Sequence, residues 1–254
     1  MFKILKTKFK EIFLVHKTLN IKEYLNCVYF IHLIDRPMFL KIKDIPKLSW
    51  SSPSPTNLKP SLKTLFFLCL GLVLFGFGEG LLLVSSIGAS PWNVLHEGIA
   101  INLGTSVGTI AFVISFFVLL LWYFLDQKIG MGTIINFVII AIMIDTTMYY
   151  FETPTNFIYQ LLEVVLGILI IGFGTAIYLI ANLGAGPRDG LMTGLQKKTG
   201  APIALVRACI EITVVVLGWT LGGTAGIGTL IFAFGIGPAV SLGLQSMSKL
   251  AKNN

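Results

Sequence analysis

Residues 88–93 read Gly-Ala-Ser-Pro-Trp-Asn, and a related stretch, Gly-Ala-Gly-Pro-Arg-Asp, follows 96 residues later at 184–189. The same shift aligns the surrounding sequence without a gap, so that eight glycines of the first half fall on glycines of the second. The pairs are Gly71–Gly167, Gly76–Gly172, Gly78–Gly174, Gly88–Gly184, Gly98–Gly194, Gly104–Gly200, Gly130–Gly226 and Gly132–Gly228. Because glycine and proline occupy sharp turns and close helix contacts, these matches indicate a repeated backbone geometry.

The composition around this repeat is that of a membrane protein. The chain has 254 residues, of which 55% are hydrophobic and only 12% are charged, whereas soluble domains carry about 25% charged residues. This excludes an ordinary soluble globule and a disordered protein. Six apolar runs are long enough to cross a bilayer, namely about 62–86, 105–125, 131–150, 157–181, 202–221 and 228–247.

The distribution of charge predicts the topology. The formal net charge of +7 lies entirely in residues 1–61, and residues 62–254 are neutral. If the N-terminus is cytoplasmic, the loops 87–104, 151–156 and 222–227 face outward, and they contain no Lys or Arg. Since cytoplasmic loops are enriched in Lys and Arg, we expect six spans with both termini in the cytoplasm. The basic segment then faces anionic lipid, and we expect no nucleic-acid partner.

Three regions follow from this reading. Residues 1–61 form a basic cytoplasmic N-terminal extension that ends in a Ser- and Pro-rich linker at 49–60. The extension is either a helix on the inner membrane surface or a poorly ordered tail. Residues 62–156 form a first membrane repeat, and residues 157–254 form a second repeat with a short cytoplasmic tail.

The predicted fold is an all-α membrane protein of six transmembrane helices in two inverted three-helix repeats, each with a short helix that re-enters the membrane or lies at its surface. The repeats must point in opposite directions because each has an odd number of spans. Inverted repeats with an interrupting non-helical element are typical of secondary transporters.

The short segments are 91–102 and 187–198, which each begin with the proline of the repeated motif. Proline at the start of a helix leaves the next amides free to face a solute. In one interpretation both segments re-enter the membrane from opposite faces and line a polar cavity with Asn93, Arg188 and Asp189. In the other they are short surface helices capped by Asn or Asp.

Ionisable residues inside the predicted spans supply the other candidates, because each is costly in hydrocarbon unless it is paired or hydrated. Glu79 lies deep in the first span and is a candidate proton-linked or substrate-binding carboxylate. Arg207 and Glu211 are four residues apart on one helical face, where they line a site or merely form a packing ion pair. Asp145 and Glu163 are further pointers. The candidate substrate-binding residues are therefore Glu79, Asn93, Arg188, Asp189, Arg207 and Glu211.

Other motifs point away from catalysis. The sequence has no Gly-Lys-Ser/Thr phosphate loop, and its three cysteines form no metal or disulfide pattern. His96-Glu97 lacks a second histidine at metal spacing, and we expect this pair at the surface. We therefore predict no catalytic residues, no cofactor and no metal. Gly76-x-x-x-Gly80 indicates a close helix contact, and Gly235-Ile-Gly-Pro238 predicts a kink or break in the last span.

The paired loops, together with Gly130–Thr133 and Gly226–Thr229, resemble the bacterial YczE-type integral membrane proteins, which are related to the YitT group. The resemblance covers about 62–250, and residues 1–61 lie outside it. It implies a multi-pass protein of the bacterial inner membrane and supplies neither substrate nor catalytic residues.

Two classes of function remain open. The first is a permease for a small solute that uses an ion or substrate gradient. The second is a non-transporting accessory protein that binds or stabilises a partner, with an intramembrane enzyme a distant third. A permease should bring Glu79, Asp189 or Arg207 to one accessible cavity, whereas an accessory protein should have a dry, solid interface between the repeats. The lipid bilayer is the one partner that the sequence implies directly; a small solute, a protein partner and self-association are left open.

Overall fold

The structure is a computed structural model that describes residues 45–252, with side chains to residue 249. This part contains eight helices and no strand. In chain order they are α1 Leu62–Val84, α2 Pro91–Leu103, α3 Val107–Phe124, α4 Met131–Tyr150, α5 Phe157–Ala181, α6 Pro187–Thr199, α7 Ile203–Thr220 and α8 Ile227–Lys252. The two alternatives for the N-terminal extension concern residues that lie mostly outside the described range.

Six of these helices, α1, α3, α4, α5, α7 and α8, are long and apolar enough to cross a membrane. The six predicted spans are thereby confirmed as helices, and the short segments predicted at 91–102 and 187–198 are α2 and α6. Of the kink or break predicted at Pro238, the break is wrong, because α8 continues through that residue; the kink stays a prediction. Membrane helices tolerate an internal proline when neighbouring groups accommodate the freed carbonyl.

Glycines bring α1 and α5 into backbone contact at the centre of the molecule. A Cβ atom on Gly71 would lie 2.8 Å from the carbonyl oxygen of Gly174, and one on Gly78 would lie 2.7 Å from that of Gly167. Both distances are shorter than van der Waals contact allows, so only glycine permits this approach. The crossing fixes the position of Glu79, which follows Gly78 on α1.

The opposite side of α1 packs on α4 through the predicted small-residue motif. Gly76 faces Met143, and Gly80 faces Thr147. A Cβ on Gly76 would lie 2.6 Å from the Cβ of Met143. The interpretation of Gly76-x-x-x-Gly80 as a close helix contact is therefore confirmed.

Each copy of the Gly-Ala-x-Pro loop is held by hydrogen bonds to the other half of the chain. Gly88 and Gly184 adopt φ values of 136° and 116°, which only glycine adopts readily. The Thr229 hydroxyl donates to the carbonyl of Ala89 at 2.8 Å. These bonds hold the residues that lead into α2 and α6.

The second loop is bound in the same way. The Thr133 hydroxyl donates to the carbonyl of Ala185 at 2.8 Å. The backbone N–H of Gly132 donates to Leu183 at 2.8 Å, and that of Gly228 donates to Ile87 at 2.9 Å. The start of α4 thus secures the loop before α6, and the start of α8 secures the loop before α2.

Residues 49–60 have no helix or strand, as expected of the predicted linker, yet they pack on the helices. Trp50 stacks on Phe67 of α1 with ring centroids 4.3 Å apart. The backbone N–H of Ser52 donates to Ala181 at 3.0 Å, and the side-chain amide of Asn182 donates to the carbonyl of Ser52 at 2.8 Å. The segment is therefore attached to the end of α5.

Candidate functional site

A cavity of about 420 Å³ lies among the helices, and each of α1 to α8 contributes to its wall. Five of the six candidate residues line it: Glu79, Arg188, Asp189, Arg207 and Glu211. Aromatic and aliphatic side chains, among them Phe137, Phe232 and Ile236, form the rest of its surface. The cavity thus combines charges of both signs with apolar walls.

Glu79 is the most deeply buried of these charged groups, with 1% of its surface exposed. Its Oε2 accepts hydrogen bonds from the Ser90 hydroxyl at 2.5 Å and from the Asn93 amide at 2.8 Å. Ser90 is the N-cap of α2 and Asn93 lies in its first turn. The carboxyl group therefore lies at the positive end of a helix dipole, which stabilises an anion.

Arg188 completes the surroundings of Glu79 from the other half of the chain. Its Nη1 lies 3.8 Å from Oε1 of Glu79, and its guanidinium carbon lies 5.4 Å from the ring centroid of Trp92. Arg188 and Glu79 therefore form an ion pair, but the distance between the two atoms is too long for a hydrogen bond. The guanidinium lies over the Trp92 ring in a cation–π contact. Its N–H groups make no hydrogen bond to another residue of the described part of the chain.

Asp189 follows Arg188 and is bound by a residue that the sequence did not single out. The Tyr178 hydroxyl donates to Oδ2 of Asp189 at 2.9 Å. Tyr178 itself packs edge-on against Phe75, with ring centroids 6.2 Å apart. The carboxylate is thus fixed beside the cavity by one hydroxyl, without a cation in direct contact among the described residues.

Arg207 and Glu211 form the ion pair that their spacing predicts. The Nε of Arg207 lies 2.8 Å from Oε1 of Glu211. Both line the cavity, and about half of the Arg207 side chain is exposed. The pair neutralises itself and therefore contributes both charges to the rim without a large net field.

Asn93 does not line the cavity, although it belongs to the same polar cluster. Its amide donates to Glu79, and its Oδ1 lies 3.0 Å from Nδ1 of His96. His96 is fully buried, so the expected surface position of this residue is wrong. Glu97 instead accepts hydrogen bonds from the N–H and hydroxyl of Thr224.

The burial of His96 has an electrostatic consequence. Burial, and secondly the charge of Arg188, lowers the pKa of His96 well below its usual range. The ring is therefore neutral, and its Nε2 finds no hydrogen-bond partner among the described residues. His96 packs in α2 as a neutral polar residue that orients the amide of Asn93.

The N-termini of α2 and α6 both reach the cavity through Pro91 and Pro187. Neither helix has a side-chain cap, whereas α1, α3 and α5 are capped by Ser61, Ser106 and Asn156. The prediction that Asn or Asp caps these helices is wrong, because the N-cap positions are Ser90 and Gly186. The free amides add partial positive charge beside the cavity.

The two other acidic residues of the spans do not line this cavity. Asp145 accepts from the Ser106 hydroxyl at 2.6 Å and from the N–H of Gly108 at 2.7 Å. It therefore stabilises the N-terminus of α3 from the neighbouring helix α4. Glu163 lies half-buried on α5. No group of three or more potential ligands that could hold a metal occurs in the described part of the chain.

Several cavity residues were missed because they are uncharged: Ser90, Trp92, Ser115, Asn136, Thr175 and Tyr178. The repeat contains a signal for four of them. Trp92, Ser115, Asn136 and Thr175 stand 96 residues from Arg188, Glu211, Phe232 and Glu79, which also line the cavity. The equivalent positions of the two halves thus meet at one place.

These features define a multi-pass α-helical integral membrane protein with a polar cavity among its helices. The chain belongs to a family of unknown function, DUF6198, whose model matches residues 62–244. The resemblance to the YczE-type proteins is confirmed by this match and by the relatives described next.

Three bacterial proteins are similar in sequence. A Haemophilus influenzae protein described only as uncharacterized is 40% identical, over 83% of this chain and 95% of its own. The uncharacterized membrane protein YczE of Bacillus subtilis is 31% identical, over 66% of this chain and 79% of its own. The uncharacterized protein YyaS of the same organism is 30% identical, over 64% and 83%. No solved structure matches.

Proposed function

We propose that the protein is a permease for a small solute, driven by an ion or substrate gradient. The observation that carries this proposal is the cavity of about 420 Å³ lined by Glu79, Asp189 and Arg207. A non-transporting accessory protein has no need of charged groups around an internal space, since each is costly within a membrane. A solute that replaces water in the cavity can form ion pairs and hydrogen bonds with these charged groups.

The architecture proposed for this permease is an inverted repeat of residues 62–156 and 157–254. The glycine contacts support it. Gly71 contacts Gly174, which is the repeat equivalent of Gly78, and Gly78 contacts Gly167, which is the repeat equivalent of Gly71. Exchanged contacts of this kind are what a two-fold axis between two similar units produces. The exchanged loop contacts of Thr133 and Thr229 follow the same rule.

In this architecture α2 and α6 re-enter the membrane from opposite faces. The first residues of α2, Pro91 to Asn93, and the first residue of α6, Pro187, are buried, and both prolines line the cavity. Helices that end near the membrane midplane with free N-terminal amides are a recurring feature of transporter binding sites. Solute then reaches the cavity when one half rocks against the other.

The proposed location is the bacterial inner membrane, with both termini in the cytoplasm. The orientation rests on the absence of Lys and Arg from the loops 87–104, 151–156 and 222–227, because cytoplasmic loops are enriched in these residues. The lipid bilayer is the partner this requires. We also propose that the protein is not an enzyme, because its sequence has no Gly-Lys-Ser/Thr phosphate loop and its His96-Glu97 pair lacks a second histidine at metal spacing.

The test compares metabolites inside and outside cells of a deletion strain complemented with wild type, Glu79→Gln or Glu163→Gln. Gln keeps the size of each side chain and removes its charge. Glu163 is the matched control, because it also lies within a predicted span but not at the cavity.

We expect wild type and Glu163→Gln to restore the distribution of at least one solute, and Glu79→Gln to fail at equal protein abundance. A profile that is unchanged by the deletion across many growth conditions would favour the accessory protein.

A further inference from the structure

We propose that the cavity binds a small zwitterion with an apolar part, that is, a molecule of the amino-acid type with one carboxylate and one ammonium group. This inference deepens the proposed function. Transport of the ligand rests on that proposed function, whereas binding of the ligand does not. It is carried by the placement of charged, polar and apolar groups around one cavity.

The carboxylate subsite is formed by Arg188. No hydrogen bond among the described residues engages its guanidinium, because its ion pair with Glu79 is 3.8 Å long. The guanidinium carbon lies 5.4 Å from the ring centroid of Trp92. A planar guanidinium with unused donors binds a carboxylate through two parallel hydrogen bonds.

A second polar group lines the cavity near Asp189. Asn136 is only 7% exposed and lines the cavity, and its amide makes no hydrogen bond with another described residue. A Cβ atom built on Gly186 would lie 3.5 Å from either polar atom of this amide and 3.3 Å from Oδ2 of Asp189. An amide in this position can donate to a ligand or accept from it.

The ammonium subsite is formed by Asp189. Its Oδ2 accepts from Tyr178, and no basic side chain of the described residues contacts the carboxylate directly. Phe75 and Tyr178 also line the cavity, and aromatic rings attract cations. Arg188 and Asp189 both lie in the first turn of α6, so one helix end supplies both charged subsites.

The overall charge and the remaining wall agree with such a ligand. Three carboxyl groups and two guanidinium groups line the cavity, so their formal sum is negative and disfavours a polyanion. Phe137 and Phe232 are buried on the wall, where they provide an apolar surface. A zwitterion with a hydrocarbon side chain satisfies both the charged and the apolar parts of the lining.

The experiment measures the melting temperature of the purified full-length protein in detergent with matched compounds. L-Phenylalanine and L-leucine carry both charges. Phenethylamine and isoamylamine lack the carboxylate, and hydrocinnamate and isocaproate lack the ammonium group. A ligand that binds only the folded state raises the melting temperature in a concentration-dependent way.

We expect at least one of the two zwitterions to stabilise the protein, with Kd about tenfold or more lower than that of either analogue with a single charge. Arg188→Gln should abolish the preference over the amine, and Asp189→Asn the preference over the carboxylate. Lys197→Gln, an exposed position on the same helix, should leave both preferences unchanged. The comparison on wild type stands even if a variant fails to fold.

Stabilisation by the amines alone, by the carboxylates alone or by none of the six compounds would overturn the inference. Binding of a zwitterion by a protein whose deletion changes no metabolite distribution would overturn the permease instead. Transport of a solute of another class, without zwitterion binding, would support the proposed permease and contradict the proposed ligand.

Discussion

At the scale of single residues, the fold depends on positions where no side chain fits. Gly78 and Gly71 allow the backbones of α1 and α5 to touch, since a Cβ on either would lie within 2.8 Å of a backbone atom. Membrane helices have no hydrophobic drive to associate and rely on such close packing. Glycine in a helix is otherwise unfavourable, so its presence here has a packing reason.

We expect Gly78→Ala to lower stability by about 1–3 kcal/mol, because the added methyl group must push α1 and α5 apart. Gly235→Ala is the matched control, since a Cβ at that helical position would come no closer than 3.4 Å to a neighbouring atom, the Cγ2 of Ile168. Its helix propensity should keep the protein as stable as wild type or improve it by about 1 kcal/mol. Melting temperatures in detergent measure both. Equal effects of the two substitutions would contradict the proposed contact.

The charged residues of the site could be predicted from the sequence more easily than the residues that form hydrogen bonds with them. Glu79, Arg188 and Asp189 stand out in an apolar sequence because burial of each is costly. Tyr178 does not, because a tyrosine in a membrane helix is ordinary and its bond to Asp189 depends on how α5 meets α6. His96 was misplaced at the surface for a similar reason, because its burial depends on how α2 packs in the folded protein.

At the scale of elements, the sequence was most informative about lengths and starts. Apolar runs predicted the six long helices, and Pro91 and Pro187 predicted where the short ones begin. It was less informative about α8, where Pro238 lies inside a continuous helix. The attachment of residues 49–60 to α5 also escaped prediction, since a Ser- and Pro-rich composition reports local flexibility and not the contacts of Ser52 or Trp50.

The two loop contacts should be of equal importance if the halves are equivalent. Thr133→Val and Thr229→Val each remove one hydroxyl that donates to a loop carbonyl while keeping the shape of the side chain. We expect each to cost about 1–3 kcal/mol, because a buried carbonyl loses its partner. Melting temperatures of the two variants should therefore fall by similar amounts.

Thr146→Val is the control for this pair. Its hydroxyl donates to Ile142 of its own helix, so its loss leaves no contact between elements broken, and we expect a change within about 0.5 kcal/mol. A large loss for only one of Thr133 and Thr229 would argue against equivalent halves.

At the scale of the whole molecule, the cavity is the feature that joins the fold to a function. Residues far apart in the chain, from Glu79 on α1 to Phe232 on α8, meet around it. One interpretation of the sequence predicted a polar cavity with Arg188 and Asp189 in its wall. The sequence could not predict the volume or the uncharged lining of this cavity, because these depend on how side chains from all eight helices pack.

The central claim is that solute can enter this cavity from the two sides of the membrane in turn. The measurement is the labelling of Ser115→Cys, a cavity position on α3, in a variant whose Cys27, Cys69 and Cys209 are replaced by alanine. Phe116→Cys is the control, because this neighbour is exposed on the outside of the helices. A small, charged thiol reagent is applied to vesicles of either orientation.

We predict that Ser115→Cys reacts from both sides and that Phe116→Cys reacts from neither, because lipid excludes the reagent there. Reaction of Ser115→Cys from one side alone, or from neither, would contradict alternating access to the cavity.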